Sequence, residues 1–168
     1  EKETHLGFLI QGPYKTTPNR ENVRKDDPWN KLLIEKTSEL VVEALFKLRE
    51  MGHLKDRALG ALVVDLSKYE EENSFLRPIA DKLIEALRRE EFIPRSGSGY
   101  IAGRNARLAG SDSLRKLVSA EQLKDLTGSD SETDWVAGKI TEDAAGTRRL
   151  YEFLKDTIAV EVFDSRKF

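Results

Sequence analysis

The chain has 168 residues, 28 basic and 30 acidic, for a formal net charge of −2, with 39% apolar and 35% charged side chains. That length suits one ordinary domain, and the near-neutral balance excludes a protein that coats nucleic acid by bulk charge. Cysteine is absent, which excludes a disulfide scaffold, thiol catalysis and a zinc ribbon, and fits a cytoplasmic location.

In chain order, Phe8-Leu9-Ile10 closed by Gln11-Gly12-Pro13 predicts a short strand ending in a turn. Lys15 to Asp27 is polar without apolar periodicity and reads as a loop. Asp27-Pro28 then opens the clearest element, because Asp caps orphan N–H groups and Pro at the first helical position loses no bond. Trp29, Leu33, Thr37, Leu40, Val41, Ala44, Leu45 and Leu48 recur at helical spacing and predict the buried face of a long scaffold helix over 28–51, stopped by Gly52. A shorter helix is expected over Lys55–Leu62. A third spans Ser74–Glu91, burying Phe75, Ile79, Leu83, Ile84 and Leu87. Between them, the acidic Tyr69–Asn73 linker is where a sub-domain boundary would fall.

Phe92-Ile-Pro94 and Tyr100-Ile-Ala102 flank a turn-rich Arg95-Ser-Gly-Ser-Gly99 and predict a β-hairpin. Arg107-Leu-Ala109 adds an extended piece, followed by helical turns at 112–118 and 120–126, the second capped by Ser119. After the polar connector Thr127–Thr133 come an ordered piece at Trp135-Val136, a helix over Thr147–Thr157 and a strand over Ala159–Phe163. The fold class is therefore α+β, mainly helical, with short strands at the N- and C-terminal ends and a hairpin near 92–102. No run of about 18 apolar residues reaches membrane-spanning length. The start at Glu1, within reach of an apolar run, and the stop at Phe168 just after a strand read as a fragment of something longer.

Motifs for chemistry are few. The Arg95-Ser-Gly-Ser-Gly-Tyr100 turn lacks the lysine and following helix of a phosphate loop. No G-x-S-x-G elbow occurs, and His5 and His53 are too far apart in sequence to suggest a ligand pair, so no metal site is expected. From 92 to 111 stand Arg95, Arg104 and Arg107 with Tyr100 among them and no acid, a pattern that can pair phosphates and stack a base of single-stranded nucleic acid. The slightly acidic chain as a whole speaks against that partner. Lys15, Arg20, Arg24 and Lys25, against Glu21 alone, form a second cationic stretch between a predicted strand and a helix. It is either a solvated connector or a loop that offers a guanidinium to phosphate, a group that can bridge two phosphate oxygens.

Phe8-Leu-Ile-Gln-Gly-Pro-Tyr-Lys-Thr-Thr-Pro-Asn-Arg-Glu-Asn-Val23, followed by Trp29-Asn30, resembles the segment after the ATPase domain in sacsin-like and NO VEIN-like proteins. These are large relatives, within the GHKL superfamily, of the ninety-kilodalton heat-shock chaperone. The resemblance covers about the first 30 residues; the 92–101 hairpin and Trp135 match only in pattern. It implies that Arg20-Glu21 occupies the place of a serine-arginine-glutamate loop whose arginine reaches the γ-phosphate of ATP in the preceding domain, with Asn19 where serine is expected. Lys15 and Arg24 would assist. The Asn/Glu helix, D-x-G-x-G motif and glycine-rich lid of such ATPases are not in this chain. The resemblance therefore implies a non-catalytic coupling segment with no cofactor of its own. ATP and magnesium would belong to the full-length protein, the partners being the preceding ATPase domain and a protein client.

Overall fold

The computed structural model describes residues 3–70, 74–128 and 132–164. Its longest element is α1, Pro28–Glu50. Asp27 caps it by accepting the Trp29 N–H at 2.9 Å, and Gly52, at φ 69°, turns the chain away at the other end. The expected helices follow as α2 (Asp56–Gly60), α3 (Arg77–Arg89), α4 (Asp112–Leu117), α5 (Ala120–Thr127) and α6 (Arg148–Glu152). Ser119 and Gln122 form a reciprocal capping box at the start of α5. Residues Ser74–Leu76 wind as a tighter turn ahead of α3. The reason is chemical: Pro78 has no N–H to donate to the Ser74 carbonyl, so α-type bonding begins later.

The buried stripe of α1 keeps part of the one the periodicity predicts, Leu45 with Val41 and Leu48 on the core, and turns away from the rest. Ile34 and Leu45 are buried, and so are the polar Asn30 and Ser38, whereas Leu40 is 61% and Trp29 43% exposed. Asn30 and Ser38 can face inward because each is satisfied there. The Ser38 hydroxyl donates to the Glu35 carbonyl at 2.7 Å. The helix is thereby rotated so that Leu33, Leu40 and Ala44 move off the core, which forms between α1, α3 and the segments that follow.

The hairpin pairs β1 (Ile93–Pro94) with β2 (Tyr100–Ile101), Ile93 opposite Ile101. Gly97 and Gly99 supply its turn with φ values of 108° and 89°, open to glycine and poorly to other residues. A second sheet places β3 (Ala106–Ala109) between β4 (Asp134–Trp135) and β5 (Glu161–Phe163), both parallel to it. Parallel pairs need long crossovers, supplied here by α4 and α5 and then by α6. Leu114, Val118, Leu123, Trp135 and Phe163 form a smaller cluster there, the Trp135 indole N–H donating to the Val118 carbonyl at 2.8 Å.

The helix expected over 147–157 divides. After α6 the chain widens into a π turn over Phe153–Thr157, with the Ile158 N–H donating to the Phe153 carbonyl at 3.0 Å. The Arg88 guanidinium takes the freed carbonyls of Thr157 and Ile158 at 2.5 and 3.1 Å. At the N-terminal end the paired residues are Thr16 and Val23, not the Phe8–Ile10 run predicted as a strand. That run instead lays Leu6, Phe8 and Ile10 on the core as side chains. Gly7 lets its backbone lie so close to Ala61 that a Cβ would stand 2.2 Å from the carbonyl oxygen. Three apolar residues specify burial, and pairing additionally needs a free neighbouring edge. Residues 71–73 of the acidic linker and 129–131 of the polar connector lie outside the described residues. Among the described residues, no helix is long and apolar enough to cross a membrane.

Candidate functional site

The first cationic stretch closes on itself as a small hairpin. The Arg24 N–H donates to the Lys15 carbonyl at 3.0 Å and the Thr17 N–H to the Asn22 carbonyl at 2.8 Å. At its tip the Arg20 N–H donates to the Thr17 carbonyl at 2.8 Å, closing a four-residue turn with Pro18 second, where the fixed proline φ belongs. Arg20 itself sits at φ 59°. For a residue with a Cβ this left-handed conformation costs about 1–2 kcal/mol. Asn19 braces the tip: its Oδ1 accepts the Thr17 hydroxyl at 2.5 Å, and its Nδ2 donates to Glu21 Oε2 at 2.6 Å.

The base of the loop is fastened from below by Asn30, which is fully buried. Its Oδ1 accepts the Lys15 N–H at 2.8 Å, and its Nδ2 donates to the carbonyls of Lys15 and Arg24 at 2.8 and 2.9 Å. One amide thus satisfies both strands of the hairpin where they leave water. Sequence reasoning missed it, and the available signal was an Asn one helical turn before Ile34, in phase with the core.

Lys15, Arg20 and Arg24 share this loop but not a role. The Lys15 ammonium lies 3.2 Å from the Asp27 carboxylate. Against the desolvation that would raise it, hydrogen bonds from Lys15 and the Trp29 N–H hold the Asp27 carboxyl below its usual range, helped by the charges of Lys15 and Arg24. Arg20 and Arg24 are exposed, and among the described residues neither guanidinium makes a close ion pair. Beside the loop, a mostly apolar cavity of about 820 Å³ is lined by the segment from Glu3 to Gln11 together with Tyr14, Val23, Lys25, Phe75 and Leu76.

The second cationic stretch is disassembled by acids from farther along the chain. Arg95 bonds the Glu132 carboxylate and, at 2.8 Å, the Ser98 carbonyl, with Asp134 at 3.8 Å. Arg107, largely buried, lies 3.3 Å from Glu161 and donates to the Ala106 carbonyl at 2.9 Å. Tyr100 is half-buried against the core. Arg104 is left exposed. These four side chains do not make a common face for nucleic acid, because two of the three cations are already paired. Burial raises the Asp134 carboxyl, opposed by its bond from the Trp135 N–H and by the charge of Arg95.

The first loop presents cations, a donor set for phosphate oxygens but not for a metal. Among the described residues no group of three or more His, Asp or Glu side chains is placed to hold a metal ion. No family model, no curated protein and no solved structure matches this chain.

Proposed function

We propose that this chain is a non-catalytic coupling segment of a sacsin-type ATPase, presenting Arg20 to the phosphates of a nucleotide held by another domain. The observation that carries the reading is an exposed guanidinium at the left-handed tip of a loop whose base is fixed by buried Asn30. With the loop backbone already held, only the Arg20 side chain has to order as charge grows on the transferring phosphoryl group. Arg20 would meet the γ-phosphate oxygens through its planar fork, and Arg24 would add potential without a fixed geometry. Lys15, occupied by Asp27, positions the loop rather than touching the nucleotide. The cavity supports the reading too: it shares Val23 and Lys25 with the loop, so a domain seated there would bear on the loop's base. The nucleobase pocket and the magnesium ligands belong to that other domain.

The test is ATP turnover by the full-length protein. Arg20→Ala lowers it sharply, on the scale of supplied arginines in GTPases, about 10³-fold or more, and leaves this chain's melting temperature nearly unchanged. Arg20→Lys recovers little, because a point charge cannot reproduce the fork. Arg24→Ala costs much less. Equal losses from Arg20 and Arg24 would replace the positioned arginine with diffuse electrostatics, and no loss from either would make the loop a plain connector. The isolated chain should neither hydrolyse ATP nor bind it at micromolar concentration in calorimetry.

A further inference from the structure

We propose that the outward face of α1 is a self-association surface, on which a second copy of this chain packs antiparallel about a two-fold axis near residue 42. Independently of the arginine loop, α1 is apolar on two sides, and only one meets the core. Leu33, Thr37, Leu40, Ala44, Lys47 and Met51 follow one another at steps of four and three, the spacing of a helix-packing seam. In the structure Leu40 is 61% and Met51 56% exposed, with Leu32 beside them at 46%. The helix has 23 residues, about 35 Å of length at 1.5 Å per residue, enough for several layers of contact.

The occupant follows from side-chain size and charge. Antiparallel pairing centred near residue 42 sets Leu40 against the second copy's Ala44, and Leu33 against its Met51. Large then meets small at the centre, and Lys47 lies beside Thr37, whose hydroxyl stands 3.2 Å from the Tyr14 hydroxyl of its own chain. Parallel pairing would instead stack Lys47 on Lys47 and Ala44 on Ala44, a repulsion beside a void. At the edge of the seam the antiparallel register brings Lys36 to the second copy's Glu50, twice by symmetry. Both are free to exchange partners: within one chain they are held only by exposed pairs, Lys36–Glu39 at 2.8 Å and Lys47–Glu50 at 3.0 Å. Glu43 faces its own copy near the axis, one unfavourable contact against two favourable ones.

Sedimentation velocity on the intact chain, from micromolar to sub-millimolar concentration, tests this. The wild type shifts from monomer to dimer. Leu40→Lys removes the shift while the circular dichroism melt stays as in the wild type, since Leu40 is not in the core. Lys36→Glu and Glu50→Lys each weaken association by about tenfold, the scale of two surface pairs turned from attraction to repulsion. Mixed one to one, the two variants recover dimer, because only in the hetero-pair does position 36 of each copy face a position 50 of opposite charge. Glu43→Gln tightens the wild-type dimer. A chain that stays monomeric throughout overturns the proposal and leaves the face to another partner. A dimer insensitive to Leu40→Lys, or charge variants that do not recover on mixing, overturns the face or the antiparallel register.

Discussion

Two cationic turns, Lys15–Lys25 and Arg95–Arg107, look alike in sequence and end in opposite electrostatic states. In the first, polar groups hold the backbone: Asn30 the base, Asn19 the tip, and Asp27 the one lysine it needs. The guanidinium of Arg20 is left facing solvent. In the second, acids hold the cations themselves, Glu132 on Arg95 and Glu161 on Arg107. An arginine count in a window therefore says nothing about which charge a partner can reach. The neutralising carboxylates lie tens of residues away, brought in by the parallel strands beside β3.

The largest expected effect tests whether the first loop is held by one amide. Asn30→Ala removes three hydrogen bonds, strands the Lys15 N–H and leaves the Lys15 and Arg24 carbonyls with only their backbone donors, and should cost about 2–4 kcal/mol at about 1 kcal/mol per bond lost. The measurement is urea unfolding, and a loss under about 0.5 kcal/mol would mean that the loop holds without its staple. For the second turn, Arg95→Ala removes a half-exposed ion pair and a carbonyl bond and should cost about 1–2 kcal/mol, whereas Arg104→Ala should lie within about 0.5 kcal/mol of neutral. Equal effects from the two arginines would erase the distinction between paired and free cations.

The aspartates sharpen the same contrast through pH. The folded Asp27 carboxyl sits low, so its contribution to stability is present above the unfolded pKa and lost as pH falls through the folded one. Asp134 sits high because of burial, so its contribution is full below the unfolded pKa and is lost as pH rises through the folded value. Carboxyl carbon chemical shifts followed by NMR should show Asp27 titrating below a model aspartate and Asp134 above it. The same order for both residues would contradict the assigned environments.

What could be read from the sequence was local. Asp27-Pro28, Ser119 with Gln122, and the Gly-rich turn after Arg95 each carry their own capping or dihedral signal, and α1, α5 and the hairpin appear where those signals stand. The extended piece at Arg107 and the strand ending at Phe163 were also legible, and Trp135 as an ordered piece, but not their parallel pairing, which is decided by crossovers of more than twenty residues. The rotation of α1 was hidden for a different reason. The predicted face ran wide enough to hold both Leu40 and Leu45, and only the satisfied polar groups Asn30 and Ser38, with Ile34, reveal that the core takes the Leu45 side. Arg20 and its neighbours were visible as candidate residues. The amide that positions them looked like an ordinary helix residue.

The smallest effect asks what the conformation of Arg20 is worth. At φ 59° an arginine bears a Cβ penalty of about 1–2 kcal/mol that glycine escapes. Glycine in turn gives the unfolded chain more freedom, an opposing cost of about 0.5–1 kcal/mol. Arg20→Gly should therefore leave the isolated chain slightly more stable, by about 0.5 kcal/mol, as a rise of a degree or two in Tm. Arg24→Ala should not move it. That sign separates the turns once more: removing Arg95 destabilises because its guanidinium is bonded at home, whereas removing Arg20 loses no bond and lets glycine relieve the backbone. A clear destabilisation by Arg20→Gly would mean that the side chain is anchored within the chain, and an arginine so anchored could not be the one that reaches a phosphate elsewhere.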